Sequence, residues 1–396
     1  MTVLPFLFWA ALAVVGYTYV GYAVLVGAWA RVLGRLRPPR PLPAYEPAVT
    51  LVVPAYNEAD ILAAKVRNCL ALDYPADKLH LLFITDGSTD NPAQVLAQFP
   101  RVQHLHAAPR GGKSAAENRA MQHVGTPYVV FTDCNTDLNP GAIRALVRHY
   151  QDPRVGAVSG EKKIRSQHSA PGAGEGLYWR YESFLKRCDS RIYSLMGAAG
   201  ELVSFRTDLF QPLEPDTVLD DFVQSLRIVE QGYRVVYEPR AYASEEPSAD
   251  LREEWKRKVR ICAGAWQAMS RLTSLLNPRR PLVTFLYVSH RVLRWSLAPL
   301  ALALLLPLSA VLAGLHGGVY ALALAGQVLF YLAAALGWQT AATGRGSKLL
   351  VVALYLCMMN AAAFVGFRRF LRRAQPAAWE KARRQPRAAA VPNPAV

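Results

Sequence analysis

Cysteine is scarce and unpatterned in this chain. There are five in 396 residues (Cys69, Cys134, Cys188, Cys262 and Cys357), an odd number without a Cys-x-x-Cys, so neither a zinc site nor a disulfide framework is implied. Charge is also thin, at 19% of residues, and low charge with a slightly positive mean hydropathy points to partial residence in lipid. Disorder and fibrous repeats are excluded by the same composition. Met1 to Ala30 carries no Asp, Glu, Lys, Arg or His. A secretory leader would open on positive charge and keep its apolar core to roughly 7–15 residues, so 1–30 reads as a retained membrane helix.

What is present is divided sharply along the chain. Arg31, Arg35, Arg37 and Arg40 follow the first apolar stretch as a basic linker (31–42), which places that end on the cytoplasmic face. Apolar density returns over 296–367 in three stretches, Ser296 to Leu315, Val319 to Trp338 and Leu349 to Phe367, each near the ~20 residues that span a bilayer. Before them, 281–295 mixes Phe285, Leu286 and Tyr287 with His290, Arg291 and Arg294, the pattern of a helix lying in the interface. The tail, 368–396, is basic. Linker and tail together hold twelve Arg and Lys against one acid, Glu380, so most of the net charge of +16 is juxtamembrane. Anionic headgroups fit that placement better than nucleic acid, for which stacking aromatics would be interleaved.

One count conflicts with this layout. With Arg31 inside, three further crossings carry the basic tail outside, against the positive-inside tendency. Either one apolar stretch is re-entrant or the interfacial run hides a crossing.

The region 43–280 opens with short apolar runs ending in polar clusters. Ala48 to Val53 leads to Pro54-Ala55-Tyr56-Asn57-Glu58, Leu79 to Ile84 to a cluster holding Asp86, and Tyr128 to Phe131 to Thr132-Asp133-Cys134-Asn135. Helical periodicity fills Ala59 to Leu72 and Ser114 to Val124. Alternating strands and helices predict an α/β domain with a parallel sheet and a ligand crevice outside the strands' carboxyl ends.

The ordered set VVPAYNE, TDGSTD, GGKSAAENRA, FTDCNT, LDDFVQSLRIVEQGYRVVYEP and RKVR resembles the membrane-integrated, polysaccharide-synthase-like branch of the inverting family 2 glycosyltransferases. The resemblance implies a Rossmann-like GT-A nucleotide-sugar domain inserted between an N-terminal membrane helix and C-terminal membrane helices. It implies that a sugar passes from a cytoplasmic nucleotide-sugar, expected to be UDP-linked, to a glycan or lipid-linked acceptor at the inner membrane, alone or with an oligomeric or synthase partner.

On that resemblance, Asp133 and Asn135, an Asp-x-Asn in place of Asp-x-Asp, hold Mg²⁺ or Mn²⁺ through hard oxygen ligands. Asp86 and the Ala55, Tyr56, Asn57, Glu58 turn meet the nucleotide, while Lys113, Arg257 and Arg260 meet phosphate. Asp221 falls on the catalytic base, and Asp220, the acid before it, is expected at the acceptor. Gly200 and Glu201 border the acceptor, and Trp266 is the candidate replacement for a stacking Trp whose place Ile261 takes. Read alone, Asn57-Glu58 and Asp220-Asp221 are also ordinary helix-cap residues, and the Tyr178, Trp179, Tyr181, Glu182 cluster also reads as packing. Two other activities remain open: single-sugar transfer to a polyprenyl phosphate, and a non-catalytic membrane subunit of a synthase.

Overall fold

The computed structural model describes residues 3–38, 42–165, 170–341 and 347–378. Arg40 and the tail residues Glu380, Lys381, Arg383, Arg384 and Arg387 lie outside them. Eight strands form one sheet: β1 (Val49–Ala55), β2 (Leu79–Asp86), β3 (Val102–Ala107), β4 (Tyr128–Phe131), β5 (Asp137–Leu138), β6 (Val155–Ile164), β7 (Val203–Arg206) and β8 (Arg234–Glu245), in the order β3-β2-β1-β4-β7-β6-β8-β5.

The first four strands are parallel, with β1 paired to β2 from Val49↔Leu79 and to β4 from Val49↔Tyr128. All seven residues of β1 are buried, because helices cover both faces of this half. That is why the strand reads as an unbroken apolar run and not as an alternation. The chain steps outward from β1 to β2 and β3 and then returns from β3 to the other side of β1 as β4, so the crevice between the ends of β1 and β4 is a topological switch point. The sheet then turns antiparallel at β7.

Nine longer helices matter for the site: α1 (Val3–Leu36), α2 (Ala59–Leu70), α3 (Lys113–Met121), α4 (Ala170–Ile192), α5 (Asp220–Glu230), α6 (Leu251–Arg271), α7 (Leu297–His316), α8 (Gly318–Ala341) and α9 (Lys348–Leu371). Of these α1, α7, α8 and α9 are long and apolar enough to cross a membrane. The domain is thus flanked by apolar helices on both sides, as the sequence suggests.

The first helix continues past residue 30 through Arg31 and Arg35 and includes a π-helical turn, Tyr17–Gly21. Its 34 residues reach roughly 51 Å, well beyond a ~30 Å hydrocarbon core. The two ends therefore have different partners. Phe8 and Ala11 pack on Ala301, Leu305 and Leu312 of α7, whereas Tyr22 and Val26 pack on Leu185 and Cys188 of α4. Tyr22 donates its hydroxyl to Asp189 Oδ1 at 2.6 Å. Gly27 has no side chain because a Cβ there would stand 2.9 Å from the Phe184 ring.

The 281–295 segment differs from an interfacial helix with cations turned to headgroups. It is a short helix, Pro281–Tyr287, a π turn, Val288–Val292, and Leu293–Trp295, with His290, Arg291 and Arg294 buried. Arg291 and Arg294 pair with Glu182 of α4 at 2.6 and 2.9 Å, and His290 with Asp189. Buried cations need such partners, and the carboxylates 100 residues earlier supply them. Periodicity cannot reveal so distant a match.

Candidate active site

The loops after β1 and β2 hold each other. Asn57 is in the left-handed region (φ 52°), its N–H donates to Ser88 Oγ at 3.1 Å, and its Oδ1 accepts from Thr89 N at 2.8 Å. Glu58, not Asn57, occupies the N-cap position of α2, and its side chain does not cap the helix; Asp90 does so, accepting from Ala59 N at 2.7 Å. Tyr56 lies under the Arg110 guanidinium, 3.7 Å from the ring centroid.

Asp86 is directed at the protein. Its Oδ2 accepts from Gly111 N at 3.0 Å and Gly112 N at 2.6 Å, and its Oδ1 from Arg119 at 3.1 Å. Gly112 has φ +89°, a conformation that suits glycine, so Asp86 and this glycine set where α3 begins. Lys113, the first residue of α3, follows.

Lys113 Nζ lies 2.9 Å from Asp133 Oδ1, 3.1 Å from Asp220 Oδ2 and 3.9 Å from Glu117. Burial alone would lower the ammonium, but Asp133, Asp220 and Glu117 hold it well above its usual range. Burial raises Asp220 and Lys113 pulls it down, so Asp220 is held below the usual Asp value. Leu219 takes the N-cap position of α5, and both acids sit inside the first turn. Asp221 is set apart from its neighbour: burial and the Asp220 charge push its carboxyl up to about 7, against Lys113. Two adjacent carboxyls with opposed shifts are the electrostatic mark of a site that keeps one acid ionised and the other near neutrality.

Gly200 makes this proximity possible, since a Cβ there would stand 3.2 Å from both Asp221 Oδ2 and Lys113 Nζ. Next to it, Glu201 accepts from Lys162 Nζ at 2.5 Å; burial would raise it, yet Lys162 holds it down to about 2. Lys162 also pairs with Glu245, and Arg257 with Glu175 and Glu254. Arg257 is therefore engaged with carboxylates. Arg260 is not: among the described residues it forms no ion pair, its Nη2 donates to the Val218 carbonyl at 3.2 Å, and its Nε is buried without a partner.

A cavity of about 1460 Å³ joins these groups. Glu58, Lys113, Asp133, Asn135, Gly200, Glu201, Asp220, Asp221, Arg257 and Arg260 line it, and so does Ile261. Ala55, Tyr56, Asn57 and Asp86 are not in its lining; they end β1 and β2 or begin the loop that follows β1. Trp266 is not there either, because its ring packs on Phe367 of α9, centroids 4.5 Å apart. The lining continues past Trp179, Glu182, Arg291 and Trp295 to Tyr19 of α1 and Leu356, Met359 and Asn360 of α9. Lys162 and the Glu175, Glu245, Glu254 set were not singled out from the sequence, as their partners are far apart along the chain.

For a divalent cation the cavity offers Asp133 carboxylate and Asn135 amide oxygens. No group of three or more His, Cys, Asp or Glu that could hold a metal occurs among the described residues. Two hard oxygen ligands suit a divalent cation that takes its remaining ligands from outside the protein, and not an all-protein cage.

Comparison with known proteins bears on the fold and the family. Residues 50–211 match the family model for glycosyl transferase family 2. The chain is 26% identical over 260 residues to a poly-beta-1,6-N-acetyl-D-glucosamine synthase of Staphylococcus aureus, covering 62% of each chain, and 25% identical over 234 residues to that of Staphylococcus epidermidis, covering 56% of each. It thus spans about 62% of the length of the first of these relatives. Among solved structures, a mannosyltransferase from Pyrobaculum calidifontis in complex with GDP-Man and Mn²⁺ has the same fold, with a TM-score of 0.70 at 22% identity over 92% of this chain and 99% of that one.

Proposed function

We propose that this chain, which matches the glycosyl transferase family 2 model over residues 50–211 and is similar to polysaccharide synthases, transfers a sugar with inversion from a nucleotide-sugar, expected to be UDP-linked, to a glycan or lipid-linked acceptor at the cytoplasmic face of the membrane. The observation that carries this reading is Asp221: a carboxyl pushed up to about 7 in the same cavity as Asp133, Asn135 and Arg260.

In this reading Asp221 accepts the proton of an acceptor hydroxyl as the hydroxyl oxygen bonds to the anomeric carbon. The bond from that carbon to the diphosphate breaks, and its electron pair leaves with the nucleoside diphosphate. A base is most effective when its pKa is near the working pH, and burial beside Asp220 produces that. Lys113 holds Asp220 below its usual range and moderates the rise of Asp221. Arg260, with a buried Nε lacking a partner, is a cation available to meet developing phosphate charge. Asp133 and Asn135 would hold Mg²⁺ or Mn²⁺, which when bound neutralises diphosphate charge. Asp86 acts through the Gly111-Gly112 loop as a positioning residue.

Ile261 in the cavity wall and the packed Trp266 favour a second form of the reading, addition of one or a few sugars in place of a long polymer. The experiment for both is a nucleotide-sugar panel on the full-length protein in detergent with Mg²⁺ or Mn²⁺. Released nucleoside diphosphate and product mass are read, with a chelator control. One donor giving diphosphate and a mass ladder supports polymerisation, a single added sugar supports the second form, and no turnover of any donor contradicts the reading.

A further inference from the structure

The sequence leaves a conflict over the basic tail, and the packing of α9 bears on it. This helix lies lengthwise on α6. Val351, Tyr355 and Met358 cluster beside Leu251 and Trp255; Ala362 and Ala363 join Val259 and Cys262; Phe367 and Phe370 meet Trp266. Residue numbers climb together, so the two helices run parallel. Gly366 permits the approach, since a Cβ there would stand 2.5 Å from Cys262 Cβ. Yet α6 belongs to the catalytic domain and presents Arg257 and Arg260 to the cavity.

Both ends of the C-terminal helical unit are also at that cavity. Trp295, just before α7, lines it; so do Ala374, Gln375, Pro376 and Ala378, just after α9. A path that leaves one face of a membrane and ends at the same face crosses it an even number of times. Gly317 alone joins α7 to α8, and 342–347 joins α8 to α9. Six residues reach at most about 21 Å, short of the ~30 Å apolar thickness, so no crossing is hidden there. Three long helices with an even count leave one that does not cross. Burial distinguishes it: half of the apolar window of α9 is buried, against 33% for α7 and 6% for α8.

We infer that α9 does not cross the bilayer but lies along its interface on the catalytic-domain side, with its outer face in lipid and its terminal arginines among anionic headgroups. The outer face is apolar, with Leu349, Val352, Phe364 and Leu371 exposed. The end is basic, with Arg368, Arg369, Arg372 and Arg373. Such a helix, apolar on one side and cationic at one end, is built for the headgroup boundary. The other juxtamembrane arginines are on the same face, because α1 reaches α4 there: Arg191 donates to the Leu33 carbonyl and to that of Arg37. All the described juxtamembrane cations then share one side of the membrane, and the charge conflict disappears.

The test uses full-length protein in sealed vesicles of known orientation, with single-cysteine reporters and a membrane-impermeant maleimide. Asp208→Cys marks the catalytic domain, His316→Cys the α7–α8 turn and Arg372→Cys the end of α9; detergent-opened vesicles report total reactivity. Arg372→Cys labelling from the same side as Asp208→Cys, with His316→Cys labelling from the other, is the expected result. Arg372→Cys labelling with His316→Cys overturns the inference. A fluorophore at Leu349, Ala361 or Leu371, quenched by lipids brominated at shallow or deep positions, gives an independent readout in vesicles containing phosphatidylglycerol. Shallow quenching at all three is expected, whereas deep quenching peaking at Ala361 contradicts it.

Discussion

Lys113 Nζ stands 3.1 Å from Asp220 Oδ2, with Asp220 buried and Lys113 mostly so. This pair joins the start of α3 to the first turn of α5. Breaking a buried ion pair from one side leaves an unpaired charge, at about 3–5 kcal/mol. Lys113→Met is expected to lower stability by that order and to push the Asp221 carboxyl further up, since Lys113 opposes its rise. Chemical denaturation and a pH–rate profile check both. An unmoved acid limb in a folded variant would contradict the electrostatic role.

The pH dependence follows from Asp221 itself. A base works ionised, so kcat is expected to fall as pH drops through about 7, the value to which burial and Asp220 push the group. Asp220, Lys113, Glu201 and Arg260 face it and set that value. Because the folded state holds this proton more tightly than the unfolded chain, Asp221 costs stability above the folded pKa and nothing below the unfolded one. Asp221→Asn is therefore expected to raise the melting temperature at about pH 8 and to change it little at about pH 4.

The α/β order and the strands were legible because both faces of β1 are covered and the strands read as apolar runs with polar ends. The cavity-lining residues Glu58, Lys113, Asp133, Asn135 and Asp221 were marked by the family resemblance, and they follow strand ends or open helices, where such a topology places a ligand. What was not legible depends on pairing at long range. Asp86 serves Gly111 and Gly112 rather than the cavity, Arg257 is neutralised by Glu175, and Trp266 is covered by a helix 100 residues later. Helix α9 is the extreme case, since its composition alone matches a membrane span and only contact with α6 distinguishes it.

Gly200 gives a steric prediction. A methyl group there would press on both Asp221 and Lys113 at 3.2 Å, tighter than ordinary contact. Gly200→Ala is expected to lower kcat by tenfold or more, about 1.4 kcal/mol or above, with a smaller change in donor KM. Steady-state kinetics separate the two, and an unchanged kcat would mean that the acid and the lysine are not held as closely as the structure has them.

The central claim is that Asp221 takes the acceptor proton. Its most direct test is Asp221→Asn in the full-length protein, with turnover of the active nucleotide-sugar and equilibrium binding of the same donor measured side by side. General-base removal costs roughly 10²–10⁴-fold. The account predicts a loss of turnover in that range with donor affinity within a few-fold of the parent, and turnover retained at the parent level would contradict it.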